Sequence, residues 1–378
     1  MHTLQYRLTI VLLTFAVILP ARGQSERSIV FPDVTPYYTL KCDLHMHTVF
    51  SDGSVWPNIR VEEAHRDDLD AIAVTEHLEY QPHRHDIPHP DRNRAHEIAE
   101  NANGAQDLIV INGSEVTRAM PPGHVNAIFL TDANRLVAPE GQEAIDPVEV
   151  FREAVRQDGF TFWNHPMWLS QKSDGMAALT DMHRMLISEG LLHGIEVVNQ
   201  YTFSDEALQI ALDHDLTILG TSDIHGLVDW DFEVPQGGHR PVTLVFAEER
   251  SADGIRAALR ERRTVVWFKN SLIGRPQELV PLLEAIVQPA RAEYLDNSTV
   301  LRVTFRNDSD ATLLLRNRSA FGFHRDIDVI TLAAHAETDV DVKSGTKVES
   351  LQLTFEVLNA ITAPGTHPEI AVQIQVAE

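Results

Sequence analysis

Histidines and carboxylates recur in this sequence at the ends of short apolar runs, and that recurrence limits the possible folds more than any other feature. From Tyr38 to about Phe268, runs of β character alternate with segments whose apolar residues return at helical spacing, such as 148–157 and 205–213. The β-type runs are YTLKCDLH, DAIAVTEH, DLIVINGSE, HVNAIFL, GFTFWNH, GIEVVNQ and LTILGTSD, followed by VTLVF and TVVWF. Such alternation builds βα units and a parallel sheet or barrel. In those folds the carboxyl ends of separate strands deliver side chains to one shared cavity. The polar run ends therefore predict one site.

The first run closes with Asp43-Leu44-His45-Met46-His47, and Asp52-Gly53 follows in a turn. Residues i and i+2 of a strand face the same side, so His45 and His47 can share a metal ion. Asp43 lies on that face and is placed to orient one of the imidazoles. One such pair is equally well explained by two ordinary surface histidines. The pattern then returns in Thr75-Glu76-His77, Asn112-Gly113-Ser114-Glu115, Pro122-Gly123-His124, Asn164-His165-Pro166 and Ser222-Asp223-Ile224-His225. Each alone is more often a polar strand end than a ligand, but their repetition makes chance a poor explanation. A donor set of imidazole and carboxylate without thiolate suits Mn, Zn or Fe.

In order and spacing, DLHMHTVFSDG, TEH, GSE, His124, NHP and SDIH resemble the motif series of the PHP (polymerase and histidinol phosphatase) family. The resemblance spans roughly 40–268 and implies a distorted (β/α)7 barrel with two to three divalent metal ions. It places His45, His47, Glu115 and Asp223 around one ion. Glu115 would bridge to a second, held also by His124 and His165, and Asp52, His77 and His225 would surround a third. Glu76 stands where the family often has Asp, and Asp52 replaces a histidine that some members use. The insertion YQPHRHDIPHP is similar to that of exported members acting on small organophosphate diesters. The implied activity is that of an exported metal-dependent phosphodiesterase. Two ions about 4 Å apart generate hydroxide near neutral pH for attack at phosphorus. Glu115, Asp223 and His225 are the candidate catalytic residues. A phosphomonoesterase using the same site and a non-catalytic exported metal- or ligand-binding protein are the alternatives. An amidohydrolase would centre on a strand-end lysine, and none occurs among these motifs.

Charge narrows the substrate. Fifty-five acidic against 31 basic residues give a formal charge of −24, which repels nucleic-acid polymers and favours a small phosphate ester. Several cations in one cavity would let so acidic a chain accept an anion. Arg118, Arg240, Asn126 and Asn199 are the candidate substrate contacts. So few cationic donors suit a diester monoanion better than a monoester dianion. His83, His85 and His89, in a proline-crowded loop, are expected at the rim. The group Arg256, Arg260, Arg262 and Arg263 is expected to be a solvated helix end complementing its dipole.

Arg7, the uncharged apolar run 8–19 and Pro20-Ala21-Arg22-Gly23 have the layout of a secretory signal peptide, cleaved after about Gly23. The run falls short of the roughly 20 residues a membrane helix needs, so an exported periplasmic or secreted product without a membrane span is expected. Cys42, the only cysteine, cannot form an internal disulfide and reads as a buried apolar group. The barrel is expected over 24–275. After a change of pattern near 276–289, alternating runs such as STVLRVTFRN and LQLTFEVLN predict an antiparallel β-sandwich over 290–378.

Overall fold

The computed structural model describes residues 27–88, 91–139 and 141–377; the expected signal peptide and His89 lie outside the described residues. A 12-stranded sheet dominates the first part of the chain. Its strands are β1 (Tyr38–Asp43), β2 (Ala71–Val74), β3 (Ile109–Val116), β4 (Val125–Ile128), β5 (Phe160–Trp163), β6 (Gly194–Asn199), β7 (Thr202–Phe203), β8 (Thr217–Thr221), β9 (Val242–Ala247), β10 (Thr264–Phe268) and β11 (Ser271–Gly274), joined by β18 (Ala360–Ile361) from near the chain's end. Their spatial order is β18-β11-β10-β9-β1-β2-β3-β4-β5-β6-β7, with β8 paired to β6. The sheet curls until β8 meets β9 and β10. There Thr243 Oγ1 accepts from the Gly220 amide and donates to the Gly220 carbonyl, and Thr264 Oγ1 donates to Ile218 O. This is the expected distorted barrel.

The strands are not uniformly parallel. β1, β2 and β3 run parallel, as do β5, β6 and β8, but β4 is antiparallel to both neighbours. The reason is the short β3–β4 connection, since a parallel crossover needs a dozen or more residues. The reversal sets the start of β4 beside the end of β3, which brings His124 to the same rim as Glu115. β9 and β10 also pair antiparallel, β9 against β1.

Strands β2, β4, β5 and β6 are buried at every position, as expected of a sheet covered on both faces. The covering helices carry local start signals. Asp146 accepts from the Val148 amide ahead of Pro147–Arg156, which buries Val150, Phe151 and Ala154. Ser204 caps Asp205–Asp213, which buries Ala207, Leu208 and Ala211. Cys42 is buried among Leu40, Leu44 and Ala71, and burial pushes its thiol pKa well up. Arg256 and Arg260 pair with Asp158 and Arg262 with Asp215, while Arg263 turns inward to the Phe246 carbonyl.

Beyond the helix Pro276–Ile286 lie two antiparallel sheets. One orders β12 (Gln288–Tyr294), β13 (Val300–Asn307) and β16 (Ala336–Lys343). The other orders β15 (Val329–Leu332), β14 (Leu313–Asn317), β17 (Ser350–Val357) and β19 (Glu369–Gln375). Alternate residues fill the space between them, with Phe305 meeting Phe355 edge-on at 5.7 Å. One apolar cluster runs from Leu244 and Trp267 through Leu282 to Leu301 and Phe355, so the two parts share a continuous core.

The structure corrects the expectation for Arg240. Its side chain is fully buried, with Nε 2.8 Å from Asp67 Oδ2 and Nη1 3.2 Å from Asp43 Oδ2. A guanidinium committed to two buried carboxylates cannot meet a substrate. Asp43, held by Arg240 and by the Ser222 amide, does not orient a histidine either. Replacing Arg240 leaves two buried carboxylates without their counter-charge. Arg240→Met is therefore expected to lower unfolding free energy by about 3–5 kcal/mol in denaturant titrations. A loss below about 1 kcal/mol would contradict this structural role.

Candidate metal centre

The segments that carry the polar run ends are hydrogen-bonded to one another just beyond the strands. Asp223 N donates to His45 O and His47 N to Ile224 O; Glu115 N donates to Glu76 O and Leu78 N to Glu115 O. The buried Arg60 fastens the same region from behind, donating to the carbonyls of His47 (3.0 Å), Gly226 (2.7 Å) and Ile224 (3.2 Å). At Gly53 a Cβ would stand 2.7 Å from the His47 and Thr48 backbone, so only glycine lets this turn fold over His47 and bring Asp52 inward. His165 (φ 31°) and Asp223 (φ 45°) both sit in left-handed backbone, where strain persists only if the surroundings hold it.

Nine side chains converge there. The Nε2 atoms of His45 and His47 lie 3.1 Å apart, and each is 3.2 Å from Asp223 Oδ1. Glu115 closes the fourth corner, Oε1 3.7 Å from His45 Nε2 and Oε2 3.5 Å from His47 Nε2. Donors about 2.0–2.2 Å from a tetrahedral ion stand at such separations from one another. A second grouping joins His77, Glu115 and His124, with His124 Nδ1 3.0 Å from Glu115 Oε1. A third joins His47, Asp52, His77 and His225, with His225 Nε2 3.1 Å and His77 Nε2 3.4 Å from Asp52 Oδ1.

This division differs from the one the resemblance implies. His77 reaches Glu115 and His124 as well as Asp52, and His47 reaches the Asp52 group. His165 lies outside the three tight groupings, although its Nε2 is 3.3 Å from Glu115 Oε1.

The hydrogen bonds around these donors leave their ligating atoms free. His45 Nδ1 donates to Glu196 Oε1 at 2.7 Å, His47 Nδ1 to Ser51 Oγ at 3.2 Å, and His225 Nδ1 to the Asp223 carbonyl at 2.9 Å. Each Nε2 then carries a lone pair directed at the cluster. The buried Asp52 Oδ1 and Glu115 Oε2 accept no aligned hydrogen bond from the protein, although imidazole nitrogens lie close by. Orphaned buried carboxylate oxygens amid converging lone pairs fit cations. Burial, reinforced by the charges of His77 and His225, pushes His47 down to about 3. Burial opposes ionisation of Asp52, Glu115 and Asp223, but the surrounding imidazoles outweigh it and hold all three low. His77 is raised to about 10, because Glu115 and Asp52 outweigh its burial. The carboxylates and His47 are thus in ligand-ready forms at neutral pH.

A cavity of about 150 Å³ opens onto the cluster, lined by Asp52, Glu115, His124, Asp223 and His225 and by Trp168, Asn199 and Gln200. Asn199 meets expectation in position, donating to Glu196 Oε2 (2.9 Å) and Asp223 Oδ2 (3.3 Å) at the wall. Asn126 does not: fully buried, it accepts from Asn164, whose amide also donates to Glu115 at 2.9 Å, so it positions the glutamate indirectly. Arg118 turns away to Glu79 (2.9 Å) and the Ile145 carbonyl, on a separate pocket. Three contributors escaped the sequence reading. Glu196 and Arg60 are missed because they hold candidate ligands in place from behind, although a carboxylate inside the apolar run GIEVVN was a signal. Trp168, whose ring lies 5.4 Å from His124 and 5.2 Å from His165, followed the NHP motif unnoticed.

Comparison with known proteins places this geometry in context. Residues 287–373 match a family model described as an Ig-like domain. A two-domain protein from Bacteroides vulgatus ATCC 8482, containing a predicted PHP-like metal-dependent phosphoesterase, is 41% identical. The match covers 92% of this chain and 98% of that one, with a TM-score of 0.84. Far weaker likenesses are PsfC from Pseudomonas syringae PB-5123 (18% identity, 61% and 92% covered, TM-score 0.43) and a lesion-specific endonuclease from Pyrococcus furiosus (15%, 68% and 62%, 0.44). Neither bears on the substrate of this chain. Comparison with curated protein sequences returns no match.

Glu196 supplies a direct test of the geometry. Glu196→Gln keeps the shape but removes the charge that fixes the His45 tautomer, and the expected loss in divalent-metal affinity is about 10–100-fold by chelator competition. Unchanged affinity would show that His45 is not oriented in this way.

Proposed function

The chain belongs to the PHP-like metal-dependent phosphoesterases, and on that premise we propose that it hydrolyses small phosphodiesters with two to three divalent ions, Mn, Zn or Fe, held by the nine clustered residues. The observation that carries the diester reading is the lining of the cavity, which includes neither arginine nor lysine. A monoester dianion calls for several charge-assisted donors, whereas a diester monoanion needs fewer. With Arg118 and Arg240 turned elsewhere, negative charge on the substrate would be met by the metal centre alone. The cavity volume of about 150 Å³ suits a phosphate group with its ester arms lying outside, and the formal charge of −24 disfavours a polymeric polyanion.

When bound, divalent ions supply Lewis acidity toward phosphoryl oxygens and a nucleophile at neutral pH. The protein's own groups do the rest. Glu115 stands between the groupings and ties them together, and Asp223, held by Asn199 and Gln200, fixes the position of one grouping against the cavity wall. His225 donates its Nδ1 proton to a backbone carbonyl, which supports a ligand role for its Nε2 over proton delivery to a leaving group. Trp168 shields His124 and His165 from water on one side. The amino-terminal pattern supports export, and no helix among the described residues is long and apolar enough to cross a membrane.

Metal-reconstituted protein assayed on bis(4-nitrophenyl) phosphate and 4-nitrophenyl phosphate decides between diester and monoester. The expected outcome is a kcat/KM at least about tenfold higher for the diester, the worth of roughly one charged hydrogen bond absent from the monoester site. A preference for the monoester would overturn the reading.

A further inference from the structure

The metal cavity, at about 150 Å³, has room for a phosphate group but not for the ester arms it carries, so an arm must lie against the residues at the mouth. One of these is Trp168, which lines the cavity and is 44% exposed. Its ring meets those of His124 at 5.4 Å and His165 at 5.2 Å, so the indole is backed by two candidate ligands and still presents open surface. The run of ring contacts continues from His124 to His77 at 5.6 Å and from His77 to Tyr80 at 5.8 Å, and the side chain of Tyr80 is exposed as well.

The loop that carries Trp168 holds it in this position. Its amide donates to the His165 carbonyl at 2.8 Å, and its carbonyl accepts from the amides of Gln171 (3.0 Å) and Lys172 (2.8 Å). Gln171 Nε2 donates to the Arg118 carbonyl at 3.1 Å, and a Cβ on Gly123 would stand 2.7 Å from Gln171 Oε1. The loop is therefore seated against the segment that leads into His124. Its charged groups are turned to each other, with Lys172 Nζ 2.9 Å from Asp174 Oδ2. Its large apolar groups are not covered: Leu169 is 68% and Met176 53% exposed. Single exposed apolar side chains are ordinary, but a tryptophan on a cavity wall with two more on its own loop marks a binding surface. An aryl or alkyl group laid on the indole would remove apolar area of both partners from water, and an aryl ring adds the ring-to-ring contact.

We propose that Trp168 sets the specificity of the site by covering an apolar ester arm of the substrate, such as an aryl ring, where that arm leaves the metal cavity. The proposal rests on the phosphodiesterase reading above. It concerns how the arm is bound and holds whichever of the two ester bonds is cleaved.

Phosphinates test it, because they carry the single charge of a diester on phosphorus–carbon bonds that water does not cleave. Calorimetric titration of metal-reconstituted protein with methyl(phenyl)phosphinate, dimethylphosphinate and 2,3-dihydroxypropyl(methyl)phosphinate compares an aryl, a methyl and a polar arm. The phenyl compound is expected to bind at least about tenfold more tightly than either of the others, as burial of one ring face would give. Trp168→Ala should bring that ratio toward one and Trp168→Phe should restore most of it, with metal content followed by elemental analysis in both variants. A ratio near one in the wild type, tightest binding of the dihydroxypropyl compound, or a ratio unchanged in Trp168→Ala overturns the proposal. Should the alanine variant shed metal, the wild-type ratios alone decide. The same titrations separate this proposal from the one it rests on. Preference for the phenyl arm in a protein that leaves bis(4-nitrophenyl) phosphate intact keeps the apolar subsite and discards the phosphodiesterase. Diester turnover without that preference does the reverse.

Discussion

The contact on which the site depends is the 3.1 Å approach of two imidazole Nε2 atoms, those of His45 and His47. Both rings donate their Nδ1 protons outward, to Glu196 and Ser51, so two lone pairs face each other in a buried space. Such a pair repels unless a positive charge stands between. Burial opposes charge on His45, but Asp223, Glu196 and Glu115 together raise the ring's pKa well above its ordinary value, so the surroundings favour a positive charge there. A divalent ion held by both imidazoles with the Asp223 and Glu115 carboxylates would meet the same demand.

Much of the molecule serves to hold that contact. Arg60 grips the carbonyls of His47 and Ile224, Gly53 lets the next turn fold over His47, and Arg240 neutralises the Asp43 and Asp67 carboxylates behind the first strand. None of these residues faces the cavity. The Ig-like sandwich shares the core through Trp267 and the helix Pro276–Ile286, and Trp267 also lies on the wall of a large cleft of about 970 Å³. The sandwich thereby supports the side of the barrel where the cleft opens.

The barrel and the convergence of the candidate ligands were legible because each of these residues ends or opens an apolar run, and strand ends meet in space. The antiparallel setting of β4 was not, since HVNAIFL looks the same in either direction; only the short connection after Glu115 hints at it. His124 joined the cluster because of that reversal, not despite it. The substrate contacts were the weakest expectations. Arg118, Arg240 and Asn126 have suitable side chains near the motifs in sequence, but Arg240 and Asn126 are buried against local partners and Arg118 pairs with Glu79. Glu196 and Arg60 act through other residues, which spacing along the chain cannot reveal. The large cleft joins 201, 230–239 and 267–270, segments with no common pattern in the sequence.

The central claim is that Glu115 ties together a cluster of metal ions, and metal content measures it most directly. Elemental analysis of protein purified without chelators, wild type beside Glu115→Ala, should find about two to three transition-metal equivalents in the wild type, as in multi-metal sites. The variant should lose more than one of them together, with turnover falling at least about 10³-fold. Less than one equivalent in a wild-type protein that stays active after chelation would contradict the account.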